Sequence, residues 1–117
     1  MFPRAAVVIL VSLLVAIATI AVIAYVRIKP MVDVAKCERV ANDTAFFRTQ
    51  LEAYRRMNGS YPSARQGLQA LVEKPVSDDW GTPYIYRCPG IKHPDGYDLF
   101  SAGPDRKVDT ADDVWRE

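Results

Sequence analysis

From Ala5 to Val26 the chain is one unbroken apolar run, AAVVILVSLLVAIATIAVIAYV, with Ser12 and Thr19 as its polar interruptions. Both hydroxyls can return to the backbone of the preceding turn, so neither opposes burial in lipid. A helix over this run reaches about 33 Å at about 1.5 Å per residue, enough for a hydrocarbon core of about 30 Å. A cleaved signal peptide is the rival reading. Its apolar core is ordinarily about 7–15 residues, shorter than this run, although Ala16-Ile17-Ala18 offers a small-x-small site. The pattern predicts a retained transmembrane helix segment within residues 1–30 and a water-facing part over residues 31–117.

Beyond the run the periodicity changes. Met31 to Met57 lacks Gly and Pro, and Cys37, Val40, Thr44, Phe47, Leu51 and Tyr54 recur at alternating spacings of three and four. That is one stripe of an amphipathic helix. Asn58-Gly59 supplies its stop, since both residues tolerate the left-handed conformation. Pro30 either kinks a continuous helix or opens a new one. Ser63-Ala-Arg-Gln66 fits a capping box, opening a short helix to Glu73. Tyr84–Cys88 and Tyr97–Ser101 read as strands separated by the turn signal Pro94-Asp95-Gly96, and Trp80 reads as a core anchor. The expected class is α+β, a long N-terminal helix packed on a small antiparallel sheet.

Composition narrows the function. The 117 residues carry a net charge of +1, without the basic excess expected of a nucleic-acid binder. Arg4 alone of the charged side chains precedes the apolar run, so a mean hydropathy near zero (−0.06) conceals two segments of opposite character. Lys and Arg counts by themselves would put the C-terminal side in the cytoplasm. His93 beside a turn lacks a nucleophile partner, no Ser lies in a nucleophile motif, and no phosphate loop is present, so no enzymatic activity is expected. Cys37 and Cys88 would form a disulfide only if the fold brings their Cα atoms within about 7 Å. Two independent thiols are the alternative.

Residues 102–114, AGPDRKVDTADDV, hold four carboxylates. Hard cations such as calcium take six to eight oxygen ligands, carboxylate and carbonyl alike. The order is not that of an EF-hand. On composition, a solvated acidic turn and a cation loop both stand.

Four motifs in sequence resemble one family. They are Leu51-Glu-Ala-Tyr-Arg-Arg-Met-Asn-Gly-Ser-Tyr-Pro62, Gln66-Gly-Leu-Gln-Ala-Leu-Val-Glu-Lys-Pro75, Trp80-Gly-Thr-Pro-Tyr84 and His93-Pro-Asp-Gly-Tyr-Asp-Leu-Phe-Ser-Ala-Gly-Pro-Asp105. The series is similar to the major, G-type pseudopilins of the type II secretion system, in the type IV pilin-like superfamily. The resemblance implies a pilin-like fold, a cytoplasmic N-terminus, an inner-membrane helix and a periplasmic head. It implies a structural role in a pseudopilus filament, with other pseudopilin subunits and the secretion assembly platform as partners and a homo-oligomeric filament as the assembly. It also implies Ca2+ as cofactor, held by the carbonyls of Ala102 and Lys107 and the carboxylates of Asp105, Asp112 and Asp113, with Asp109 adding charge as a neighbour.

The N-terminus departs from the family pattern. A Gly before the processing site, a Phe after it, a Glu at the fifth mature position and a helix-distorting Pro are expected; Arg4, Ala5, Ile9 and Val26 stand there. A carboxylate in the membrane is costly and kept for a role, and Ile9 removes both. The departures imply a second reading, an uncleaved, membrane-anchored binding module that does not polymerise. A secreted domain released by signal peptidase is the third.

Overall fold

The computed structural model describes residues 1–116. Helix α1 spans Arg4–Asn58, 55 residues, and three short strands follow: β1 (Ile85–Arg87), β2 (Asp98–Ser101) and β3 (Val114–Trp115). The chain divides into two compact units, Met1–Val34 and Ala35–Glu117, and α1 contributes to both.

The first unit is helix from Arg4 onward. Its apolar side chains, Val7 to Ile28, are exposed, and α1 is long and apolar enough here to cross a membrane. The two polar interruptions are satisfied internally. Ser12 Oγ donates to the Ile9 carbonyl at 2.9 Å and Thr19 Oγ1 to the Val15 carbonyl at 2.6 Å. Pro30 lies inside α1, so it neither starts nor ends a helix; it removes one backbone donor from the ladder.

The second unit is built on the stripe predicted from spacing. Val40, Thr44, Phe47 and Leu51 are the buried residues of α1, and Cys37 packs against the same cluster. Trp80, Tyr84 and Leu99 complete the core. Thr44, fully buried, returns its hydroxyl to the Val40 carbonyl at 2.8 Å, so its polar atom is not stranded. Gly59, at φ 84°, closes α1 by donating to the Arg55 carbonyl at 2.7 Å.

The sheet runs in order β1-β2-β3, antiparallel throughout. Ile85 faces Phe100, Tyr86 faces Leu99 and Arg87 faces Asp98; Phe100 in turn faces Trp115. The central strand β2 is buried at all four positions. The capping box forms, with Gln66 N–H donating to Ser63 Oγ at 3.2 Å and Ser63 N–H to Gln66 Oε1 at 2.9 Å. It opens less than expected. A 3-10 turn over Gly67–Ala70 replaces the short helix to Glu73, because Gly67 sits at φ 57°, outside helical space. β3 was not anticipated, since two residues carry no periodicity.

Candidate metal-binding loop

Residues 102–113 join β2 to β3, and three anchors set the loop's shape. At its entry Ser101 Oγ, buried, donates to Asp78 Oδ2 and accepts from the N–H of Gly103 at 3.1 Å. Ala102 is wholly buried. Gly103, at φ 71°, passes so close to the other end of the loop that a Cβ there would lie 2.0 Å from the Asp112 carbonyl oxygen.

The second anchor is Asp105. Its Oδ1 accepts the Lys107 N–H at 2.9 Å and its Oδ2 the Thr110 hydroxyl at 2.8 Å; the same hydroxyl lies 3.1 Å from the Lys107 carbonyl. The Lys107 N–H, then the Thr110 hydroxyl, hold the exposed Asp105 carboxyl below the usual carboxylate range.

The third anchor is Asp113, half-buried. Its Oδ2 accepts the Asp109 N–H at 2.8 Å, and its own N–H donates to the Thr110 carbonyl at 3.3 Å. Its Oδ1 is buried without a hydrogen-bond partner. Such an atom is costly unless something else satisfies it.

Of the five residues singled out for calcium, Asp105, Lys107 and Asp113 are thus knit around Thr110, while Ala102 and Asp112 stand at the closely apposed ends. The carboxylates do not converge into a cage. Among the described residues no three His, Cys, Asp or Glu side chains form a group that could hold a metal. The physical reason is visible in the bonds, for Asp105 and Asp113 spend three oxygens on the loop's own donors. The donor chemistry nonetheless fits a hard cation, being oxygen throughout, and the buried Asp113 Oδ1 is an acceptor without a hydrogen-bond partner.

Asp109 is engaged outside the loop. Arg87, at the end of β1, holds it with a fork, Nη1 to Oδ1 and Nη2 to Oδ2, both 3.0 Å. This pair, more than any other cause, holds the Asp109 carboxyl low and raises Arg87. Sequence reasoning missed Arg87, which lies 22 residues from its partner in no motif. It also missed Thr110 and Gly103; a hydroxyl between two carboxylates and a Gly after a strand were the available signals.

Elsewhere in the head, His93 behaves as a turn residue. Its Nδ1 lies 3.0 Å from Asp98 Oδ1, and its backbone N–H reaches the same oxygen at 3.0 Å. Cys37 and Cys88 are unbonded to each other.

Residues 27–115 match the family model described as type II secretion system (T2SS), protein G. The chain belongs to this family. Among individual members, a type II secretion system core protein G of Pseudomonas aeruginosa is 36% identical, the match covering 68% of this chain and 68% of that protein. Another from Escherichia coli K12 is 33% identical and covers 66% and 64%. The crystal structure of the major pseudopilin from the type 2 secretion system of enterohaemorrhagic Escherichia coli superposes with a TM-score of 0.63 at 29% identity, over 70% of this chain and 82% of that one. The α+β, pilin-like fold expected from sequence is therefore the fold of this protein G family member, and its apolar N-terminal helix marks it as membrane-anchored.

Proposed function

We propose that this protein G family member is a structural subunit of a type II secretion pseudopilus and supports protein secretion across the outer membrane. The observation that carries the reading is the family match over residues 27–115, which takes in the amphipathic half of α1 and the entire sheet. In this reading the N-terminal helix sits in the inner membrane and the head lies in the periplasm. The subunit acts mechanically, by helix packing against further pseudopilin subunits and the assembly platform, and carries out no chemistry of its own.

Calcium belongs to the same proposal. The carbonyls of Ala102 and Lys107 and the carboxylates of Asp105, Asp112 and Asp113 would hold it, and it would supply neutralisation of three like charges in one turn of chain. A ligand bound to the folded head alone stabilises it by mass action. In the full chain in detergent micelles, added calcium should raise the melting temperature, and Asp112→Ala with Asp113→Ala should abolish that rise. An undiminished rise in the double variant removes the ligand assignment.

The cellular test is genetic. Deleting the gene from its host should abolish release of type II cargo into the medium, and the full chain supplied in trans should restore it. Normal release by the deletion strain overturns the subunit reading. A second reading is favoured by one observation: Ile9, where a charged partner for a neighbouring N-terminus would be expected, is an exposed apolar residue. It makes the protein a permanently anchored module presenting a single head. The intact mass of the membrane form decides, with retained Met1 indicating the anchor and a methylated terminus at Ala5 the filament subunit.

A further inference from the structure

Arg87 is held before it ever reaches the acidic loop. It ends β1 opposite Asp98, and its guanidinium lies 5.2 Å from the centroid of Phe100, a fully buried ring that itself stacks on Trp115 at 4.1 Å. About a quarter of the side chain remains exposed, against 64% for Asp109. An ion pair this open contributes little to stability. What a two-pronged Arg–carboxylate pair gives is orientation, because both oxygens are fixed in one plane.

Asp109 needs that orientation. It stands at φ 63°, a left-handed conformation sparsely used by residues other than Gly. In that conformation its N–H points to Asp113 Oδ2 at 2.8 Å, and this bond decides which Asp113 oxygen is occupied and which, Oδ1, stays buried and unpaired. A line of contacts thus runs from the sheet into the loop: Phe100, Arg87, Asp109, Asp113. The fork also engages the loop's fourth carboxylate, so that the set left for a cation is Asp105, Asp112 and Asp113.

We propose that Arg87 is a positioning residue for the calcium loop, acting through Asp109 to orient Asp113. The inference rests on the calcium reading above and adds to it a residue outside the loop. Groups that orient metal ligands without touching the metal typically change affinity by about 10–100-fold.

The test is calcium titration of the full chain in detergent micelles after stripping with EGTA, followed by calorimetry, alongside the unfolding midpoint in EGTA. Arg87→Met and Asp109→Asn should each weaken calcium binding by about tenfold, and the double variant should be no weaker than either single one, since both break the same link. Arg87→Lys, which keeps the charge and loses the fork, should fall between. The midpoint in EGTA should scarcely move for Asp109→Asn, which separates positioning from general stability. If the native chain binds calcium and Asp109→Asn binds it within about twofold of the native affinity, the inference fails and the calcium reading stands. If the native chain does not bind calcium, both fail.

Discussion

The phenol of Tyr84 donates to Asp43 Oδ2 at 2.7 Å, joining the segment before β1 to the C-terminal half of α1 across 41 residues of sequence. Tyr84 is buried, and its ring meets Phe47 edge-on at 5.8 Å. Burial first, then the Asp43 carboxylate, raise its pKa far above the ordinary range, so it remains a donor at any working pH. Tyr84→Phe keeps the ring and deletes the bond. It should destabilise the head by about 1.5 kcal/mol, seen as a lower denaturant midpoint with unchanged slope.

Leu51 is completely buried in the same cluster. Leu51→Ala should cost about 3 kcal/mol, a large part of what so small a head has available. Thermal unfolding of the full chain in micelles, followed by Trp80 and Trp115 fluorescence, would register it.

Gly103 and Gly59 make a matched pair. Both have positive φ, but a Cβ at Gly59 meets nothing within 4 Å, whereas one at Gly103 would strike the Asp112 carbonyl. Gly59→Ala should cost about 1 kcal/mol for backbone strain alone. Gly103→Ala should cost about 3 kcal/mol and expose residues 102–113 to proteolysis, because the ends of the loop can no longer approach. Equal midpoints for the two variants would contradict the close apposition.

Asp98 is the buried carboxylate of β2, and its oxygens accept the N–H groups of Ile91, Lys92 and His93 at 2.7, 2.9 and 3.0 Å. Burial opposes its ionisation, yet the Lys92 N–H, the His93 ring and the Ile91 and His93 N–H groups together outweigh that and depress its pKa. A carboxyl whose folded pKa lies below its unfolded value contributes stability above the unfolded pKa and loses it as pH falls through the folded one. Stability should therefore hold steady from neutral pH to about 5 and decline below about 4. Asp98→Asn should lower the neutral-pH stability by about 3 kcal/mol and flatten the acid decline, leaving the smaller part due to the exposed Asp105 and Asp109.

Much of this architecture was legible in the sequence because its signals are local or periodic. The stripe of α1 was read from spacing; Val40, Thr44, Phe47 and Leu51 are buried, while Cys37 and Tyr54 at its two ends are only half-buried. The stop at Asn58-Gly59 and the capping box at Ser63 follow from side-chain chemistry within four residues. What failed was set by tertiary context. Gly67 takes a left-handed φ that turns a helix into a 3-10 turn, and β3 exists because Trp115 finds Phe100, not because two residues favour extension. In the acidic loop the four carboxylates and their order were visible. The fork from Arg87 was not, since no pattern links a strand end to a residue 22 positions away.

The sheet is assembled entirely from residues 85–115, whereas the buried part of the stripe it helps cover begins at Val40. On the ribosome, Phe47 and Leu51 emerge long before Leu99 and Phe100 exist. The half-made head therefore carries an uncovered apolar stripe until β2 has emerged, and a shortened product ending before β2 would display that stripe permanently to chaperones and proteases.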